Sequence, residues 1–338
     1  MTAASADRYQ RLLGNTAILG IGTLLGRLVT FILIPLYTFQ LSTAEYGTVD
    51  ILVTTIDLSM PLAFLVLHEA VLRFTMVEGA EQRRLLTSAG IVYALGCVVA
   101  LVLVPLIGYA LDSPRMAWWF YAVLISQAAY LIVGAWTRGV GKVKTYAIGG
   151  VIQAVALGTS NIVLLVGLNA GMAGYMASLV IGYWCGVLWL IGASRPWSEQ
   201  GPWRPDRSLI RKMLTYSIPL IPNAVMWWLM SASSRWFLQV THGESAVGLY
   251  GLANRIPVIL LVIAGVFAQA WQLSAFSEYG KEDMVGFYRK VFQYYQAVLI
   301  TTVAGIAIVI KPLFEALLEP SYQESWRFVP WLLLAAMF

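Results

Sequence analysis

The chain has 338 residues, of which 59% are hydrophobic and only 12% are charged, with a formal net charge of +5. Soluble domains carry about 25% charged residues, so this composition excludes a water-soluble globular fold and predicts an all-α integral membrane protein. The two histidines and two cysteines argue against a His-based metal site and a disulfide framework. No nucleotide-binding loop or other cofactor motif is present.

Apolar segments of about 20 residues follow one another along the chain, each long enough to cross about 30 Å of hydrocarbon. Their predicted bounds are 14–40, 47–72, 86–111, 116–139, 145–168, 171–193, 213–240, 247–276, 291–311 and a tenth from Arg327. The tenth reaches Phe338 before it is long enough to span, so we expect about ten helices and a truncated C-terminus. A polar linker, 194–212, separates an N-terminal lobe, 1–193, from an incomplete C-terminal lobe, 213–338.

The basic residues alternate between loops. Sixteen of the 22 lysines and arginines fall on one side of the predicted bundle, and only Arg115, Lys311 and Arg327 fall on the other. Basic loops remain cytoplasmic, which predicts a multi-pass protein of the bacterial inner membrane with a cytoplasmic N-terminus. The same bias accounts for the net positive charge without a nucleic-acid partner.

Two short loops on the less basic side have similar sequences. The first contains Ser-Thr-Ala before Tyr46-Gly47, and the second contains Ser-Ala before Tyr250-Gly251, with the two glycines 204 residues apart. Six crossings separate the loops, so the copies have the same orientation. This predicts a parallel pseudo-repeat of two six-helix lobes, an arrangement that places a transport site between the halves.

Four short motifs identify a family resemblance: Gly26-Arg27, Glu45-Tyr46-Gly47, Val71-Leu72-Arg73-Phe74 and Tyr250-Gly251-Leu-Ala-Asn-Arg255. With them the chain resembles the Wzx-type polysaccharide flippases of the multidrug/oligosaccharidyl-lipid/polysaccharide exporter superfamily. The resemblance implies a MATE-like fold of two helix bundles flanking a cavity. It also implies transfer of an undecaprenyl-diphosphate-linked oligosaccharide to the periplasmic leaflet for surface polysaccharides such as O-antigen lipopolysaccharide, alongside polymerase and glycosyltransferase machinery.

Charged side chains in mid-membrane cost about 2.5–3.5 kcal/mol each, so they are expected to face a wet cavity or one another. Arg27 and Arg255 match the cavity arginines of the family's lipid-linked peptidoglycan-precursor flippases, and Arg235 is a third candidate for the diphosphate. Polar stripes at helical spacing supply further candidates. These cavity-lining residues are Thr23, Thr30, Tyr37, Thr54, Asn223, Gln269 and Gln272.

Alternatives stay open for each charge. Arg27 and Arg255 could instead form structural ion pairs with Asp50 or Asp57, and Arg235 could extend towards the headgroups. Asp57 is either a counter-ion for an arginine or a proton or sodium site. For the whole protein, the alternative function is a cation-coupled multidrug exporter of the same fold; the short outer loops argue against an enzyme.

Overall fold

The computed structural model of the chain describes residues 29, 31–77, 81–110, 113–258, 260, 264, 267 and 284–337. Across these residues the regular secondary structure is helical, without a strand. Six described helices are long and apolar enough to cross a membrane: Thr43–Phe64, Gln82–Tyr109, Pro114–Gly139, Val143–Gly167, Gly171–Ser198 and Val285–Leu317. The predicted all-α, multi-pass membrane fold is therefore confirmed.

The α-helices of the described residues are numbered in chain order. They are α1 Ile34–Gln40, α2 Thr43–Phe64, α3 Leu67–Thr75, α4 Gln82–Ala110, α5 Pro114–Gly139, α6 Val143–Asn161, α7 Gly171–Ser194, α8 Arg207–Ser217, α9 Ile221–His242, α10 Glu244–Ala253, α11 Met284–Leu317 and α12 Val329–Met337. A π-helical segment, Ile162–Gly167, extends α6, and 3-10 turns occupy Pro196–Ser198, Ile218–Leu220 and Pro320–Arg327.

A capping box starts α2. The backbone N–H of Ser42 donates to the Glu45 carboxylate over 2.9 Å, and the N–H of Glu45 donates to the Ser42 hydroxyl over 3.2 Å. These reciprocal bonds satisfy two backbone donors that the first helical turn leaves without partners. The helix consequently begins at Thr43, one turn before the start predicted from hydropathy.

The second predicted segment, 47–72, is not one continuous helix. It is divided into α2 and α3 at Leu65 and Val66, both of which have a φ of 54°. Left-handed backbone costs an L-residue roughly 1–2 kcal/mol, and neither position is a glycine or asparagine. The break therefore had no local signal in the sequence.

The predicted linker contains the start of a helix. Asp206 accepts hydrogen bonds from the N–H groups of Ser208 and Leu209, over 2.8 and 3.3 Å, and caps α8. Asp is among the best N-cap residues. Regular structure therefore resumes at Arg207, six residues before the predicted segment.

Contacts between residues divide the chain into two compact units. The first unit contains Val49–Phe237 and the described part of Met1–Leu33, and the second contains Ile34–Thr48 and Leu238–Phe338. The boundaries of these units, near residues 33, 48 and 237, do not coincide with the predicted linker at 194–212. The predicted N-terminal and C-terminal lobes therefore remain a prediction. In the first unit, the buried core joins α3, α4, α5 and α8 and comprises Leu67, Ala70, Val71, Leu85, Ala89, Val92, Ile132, Ala135, Trp136 and Met213.

The second unit contains a close crossing of α2 and α10. A Cβ added at Gly47 would lie 2.0 Å from the carbonyl oxygen of Glu244, and one added at Gly248 would lie 2.1 Å from that of Thr43. Only glycine permits backbones to approach this closely. The buried Tyr322 hydroxyl also donates to the Leu41 carbonyl over 2.9 Å, which fixes the 3-10 turn at Pro320–Arg327 against the α1–α2 hairpin.

Gly47 and Gly248 have the same position within their helices. Gly47 is four residues after the first residue of α2, and Gly248 is four residues after the first residue of α10. The sequence comparison paired Gly47 with Gly251, which is three residues further on. The parallel pseudo-repeat of two six-helix lobes stays a prediction.

Candidate functional site

Arg255 lies at a helix break in the second unit. Pro257 has no backbone N–H, so it cannot donate to the carbonyl of Ala253, and α10 ends at that residue. The next two backbone hydrogen bonds join residues three apart, as in a 3-10 turn. Arg255 N–H donates to the Leu252 carbonyl and Ile256 N–H donates to the Ala253 carbonyl, each over 3.1 Å. Discontinuous helices of this kind build substrate sites in many transporters.

Two tyrosines surround the guanidinium of Arg255. Its Nε donates to the hydroxyl of Tyr46 over 2.6 Å, and its Cζ lies 5.6 Å from the Tyr46 ring centroid and 5.9 Å from that of Tyr37. Both separations allow a cation–π interaction. Tyr37 and Tyr46 are each 1% exposed, so their rings are fixed by packing. These contacts orient the guanidinium.

Asp50 and Arg235 form an ion pair between α2 and α9 in the first unit. Arg235 Nε lies 2.5 Å from Asp50 Oδ2, and the side chains are 10% and 13% exposed. The indole N–H of Trp228 joins the same two helices by donating to the Thr54 carbonyl over 2.6 Å. The Thr54 hydroxyl donates to the backbone carbonyl of Asp50. Asp50 is therefore a counter-ion in the structure, and its partner is Arg235.

The ion pair predicts an asymmetric response to mutation. Asp50→Asn or Arg235→Gln alone breaks the buried pair and keeps one of its two charges, which costs roughly 3–5 kcal/mol, whereas the double variant removes both charges. Thermal unfolding in detergent is expected to show a larger loss of Tm in either single variant than in the double variant. The exposed pair Arg327–Glu324, at 66% and 59% exposure, is the control, and its single variants should change Tm little. Additive losses at Asp50 and Arg235 would contradict the coupling.

Asp57 lines a cavity of about 220 Å³ in the first unit. Its Oδ1 accepts a hydrogen bond of 3.2 Å from the Gln127 amide on α5. Val66, at the left-handed break, also borders the cavity. The other lining residues are mainly apolar and comprise Met60, Pro61, Phe64, Leu67, His68, Ala128, Leu131, Ile132 and Ala224. Within the described part of the chain, no cation lies within ion-pair distance of Asp57.

The other residues predicted to line the cavity do not form one cluster among the described residues. Tyr37 contacts Arg255, as described, and Asn223 is exposed in the first turn of α9. Arg27, Thr23, Thr30, Gln269 and Gln272 lie outside the described residues. Across the residues that are described, no group of three or more His, Cys, Asp or Glu side chains could hold a metal ion. The partners Tyr46, Gln127 and Trp228 were not predicted as site residues.

Comparison with known proteins agrees with this architecture. The chain matches the family described as "Polysaccharide biosynthesis protein" over residues 12–279. Among curated protein sequences, no significant match was found.

Solved structures of three transporters share the fold. An inward-facing multidrug resistance MATE family transporter of the MOP superfamily has a TM-score of 0.67 at 14% identity, over 92% of this chain and 80% of its own. A mutant of the Vibrio cholerae MATE transporter VcmN has a TM-score of 0.61 at 16% identity, over 99% and 81%. A further MATE mutant has a TM-score of 0.57 at 15% identity, over 96% and 81%.

Long apolar helices with charged residues inside their spans, in a fold shared with MATE transporters, define the architecture of a multi-pass membrane protein. The chain belongs to the polysaccharide biosynthesis protein family, the Wzx-type flippases of the multidrug/oligosaccharidyl-lipid/polysaccharide exporter superfamily. It is therefore a membrane flippase or exporter. The predicted MATE-like fold is confirmed.

Proposed function

We propose that this flippase moves a polyprenyl-diphosphate-linked oligosaccharide from the cytoplasmic to the periplasmic leaflet of the bacterial inner membrane by alternating access. The observation that supports this most is Arg255, a guanidinium held beside the end of α10 by the side chains of Tyr46 and Tyr37. The family assignment to polysaccharide biosynthesis supports the cargo class. The N-terminus and the basic loops are cytoplasmic in this proposal, as the charge bias predicts.

The chemistry of a lipid diphosphate suits this arginine. A guanidinium presents a rigid fork of N–H donors that binds phosphate oxygens in pairs. On substrate binding, the Nε–H of Arg255 exchanges the neutral Tyr46 hydroxyl for a charged phosphate oxygen, which is the stronger acceptor. Tyr46 then has a hydroxyl available for a sugar or a second phosphate oxygen.

Asp57 is the candidate for energy coupling. Its carboxylate lines the cavity in the first unit and receives one neutral hydrogen bond, from Gln127. We propose that it exchanges a monovalent cation, a proton or sodium, during the transport cycle. The membrane potential adds about 2.3 kcal/mol per charge per 100 mV in favour of outward movement of an anion.

Asp57→Asn tests this coupling because it removes the charge and keeps an acceptor for Gln127. We expect transport in the variant to become insensitive to imposed proton and sodium gradients, while transfer without a gradient continues. The readout is initial rate against gradient in proteoliposomes. Glu69→Gln is the control, since this half-exposed carboxylate on α3 is outside the cavity lining. A retained gradient response in Asp57→Asn would reject the coupling role.

A multidrug exporter of the same fold is the alternative, and the carboxylate of Asp57 in a mainly apolar cavity favours it. The guanidinium of Arg255 argues the other way, because a positive charge attracts a diphosphate and repels a cationic drug.

Direct binding distinguishes the two cargo classes. The purified full-length protein is titrated in neutral detergent with a polyprenyl-diphosphate disaccharide and, separately, with a cationic amphipathic dye. We expect saturable binding of the lipid diphosphate, weakened at least tenfold in Arg255→Gln, and no saturable binding of the dye. Saturable dye binding that depends on Asp57 and not on Arg255 would favour the multidrug exporter.

A further inference from the structure

Helix α8 has one apolar face that is packed and one basic face that is open. Met213 is fully buried in the core of the first unit, and Leu209, Ile210 and Leu214 are packed against the same core. Arg207, Arg211 and Lys212 are exposed on the other face, and Arg204 is exposed just before the helix. The apolar contacts therefore fix the direction in which the basic residues point.

Contacts with the first unit also fix the segment before α8. The backbone N–H of Asp206 donates to the Ser88 hydroxyl over 3.0 Å, and its carboxylate lies 3.7 Å from the Arg84 guanidinium. Further back, Lys142 forms a 3.0 Å ion pair with Glu199. The segment is thus attached at several points, and the basic face of α8 is presented by a rigid support.

Other basic residues of the same predicted side are engaged within the protein. The guanidinium of Arg73 lies 4.3 Å from the ring centroid of Tyr216, and that of Arg138 lies 4.8 Å from the ring centroid of Tyr146. Arg83 donates to the carbonyl of Trp197. For Arg207, Arg211 and Lys212, by contrast, no acidic partner lies within 4.0 Å among the described residues. The positive charge of α8 therefore faces outward.

The surroundings of α8 are those of a membrane boundary. Trp197 and Trp203, in the segment before the helix, are 53% and 51% exposed, and indole rings prefer the headgroup region of a bilayer. After the helix, the exposed apolar side chains of Ile218, Met226 and Trp227 indicate the start of a lipid-facing surface. The basic face thus lies where the headgroups of one leaflet would be.

We propose that the basic face of α8 binds anionic phospholipid headgroups of the phosphatidylglycerol type. Arginine pairs with phosphodiester oxygens through two N–H groups, and lysine contributes a point charge. Clusters of basic residues beside a span attract anionic lipids over about one Debye length. The bound lipid is a structural neighbour of the transporter and not its cargo, so this proposal is independent of the proposed function.

The test compares two triple variants of the full-length protein that remove equal charge. Arg207→Gln, Arg211→Gln and Lys212→Gln change the basic face of α8. The control variant removes three exposed charges from the same predicted side, by Lys144→Gln, Arg289→Gln and Lys290→Gln. These residues also have no ion pair among the described residues. Phosphatidylglycerol and phosphatidylcholine are titrated into protein in neutral detergent, and bound lipid is counted by native mass spectrometry.

We expect the α8 variant to lose at least tenfold in affinity for phosphatidylglycerol, with phosphatidylcholine binding unchanged and the control variant within twofold of wild type. Unchanged helical circular dichroism and Tm establish that the α8 variant is folded, since only exposed positions are altered. Equal weakening in both variants would mean diffuse charge attraction and would overturn the proposal. Loss of polyprenyl phosphate binding in the α8 variant, with phosphatidylglycerol binding retained, would assign the face to the cargo and also overturn it.

Discussion

Arg255→Ala is expected to reduce transfer of a polyprenyl-diphosphate-linked oligosaccharide between leaflets by about 100-fold. A hydrogen bond to a charged group contributes about 1.5–3 kcal/mol, and a bidentate pair with phosphate reaches the upper part of that range. The loss falls on substrate binding, because the variant removes the guanidinium that would bind the diphosphate and leaves the buried rings of Tyr46 and Tyr37 in place. The measurement is the initial rate of labelled-lipid transfer in proteoliposomes.

Two further variants separate the charge of Arg255 from its geometry. Arg255→Lys keeps the charge and loses the planar fork, so we expect an intermediate rate. Tyr46→Phe keeps the ring beside the guanidinium and removes the hydroxyl acceptor, which should change transfer by less than tenfold. Equal, severe loss in Tyr46→Phe and Arg255→Ala, with a lowered Tm in both, would mean that the cluster is structural.

Gly47→Ala and Gly248→Ala are expected to open the crossing of α2 and α10. Each new Cβ would lie about 2 Å from a backbone carbonyl oxygen, 2.0 Å at Gly47 and 2.1 Å at Gly248. Backbone atoms have no rotamer to adopt, so the helices must separate. Overpacking of this kind costs typically 1–3 kcal/mol, which shifts an equilibrium between a closed and an open crossing about 5-fold to 150-fold towards the open state.

Spin labels at Ala44 and Ser245, on the first turns of the two helices, measure the crossing. We expect the short-distance population to fall in either alanine variant and transport to fall with it, because alternating access needs helices that can close as well as open. Gly305→Ala is the control, since its Cβ would meet no heavy atom within 4 Å. An unchanged distance distribution in Gly47→Ala would show that the crossing accommodates a Cβ and would contradict this prediction.

The fold class was readable from the sequence because lipid imposes a simple rule. Backbone groups in hydrocarbon must form hydrogen bonds within their own helix. Long apolar segments with few charges were therefore predicted to be membrane-spanning helices. Helix ends were less accurate because hydropathy does not detect caps. The Ser42–Glu45 capping box and the Asp206 N-cap were visible in the sequence and would have placed α2 and α8 correctly.

The candidate site was only partly readable, for a different reason. The cost of burying charge identified Arg235, Arg255, Asp50 and Asp57, but it does not decide which charges pair. The Asp50–Arg235 pair depends on how α2 and α9 are packed, and Asp57 contacts a glutamine of α5 instead of an arginine. The left-handed break at Leu65 and Val66, residues with no turn preference, also arises from tertiary packing.

The most direct test of the central claim is leaflet transfer by the purified full-length protein. Proteoliposomes are loaded with a fluorescent polyprenyl-diphosphate disaccharide, and a membrane-impermeant quencher reports how much lipid lies in the outer leaflet over time. We predict protein-dependent transfer that is reduced about 100-fold in Arg255→Ala and preserved in Gly305→Ala. Transfer at the wild-type rate in folded Arg255→Ala, or no transfer above empty liposomes with the wild-type protein, would contradict it.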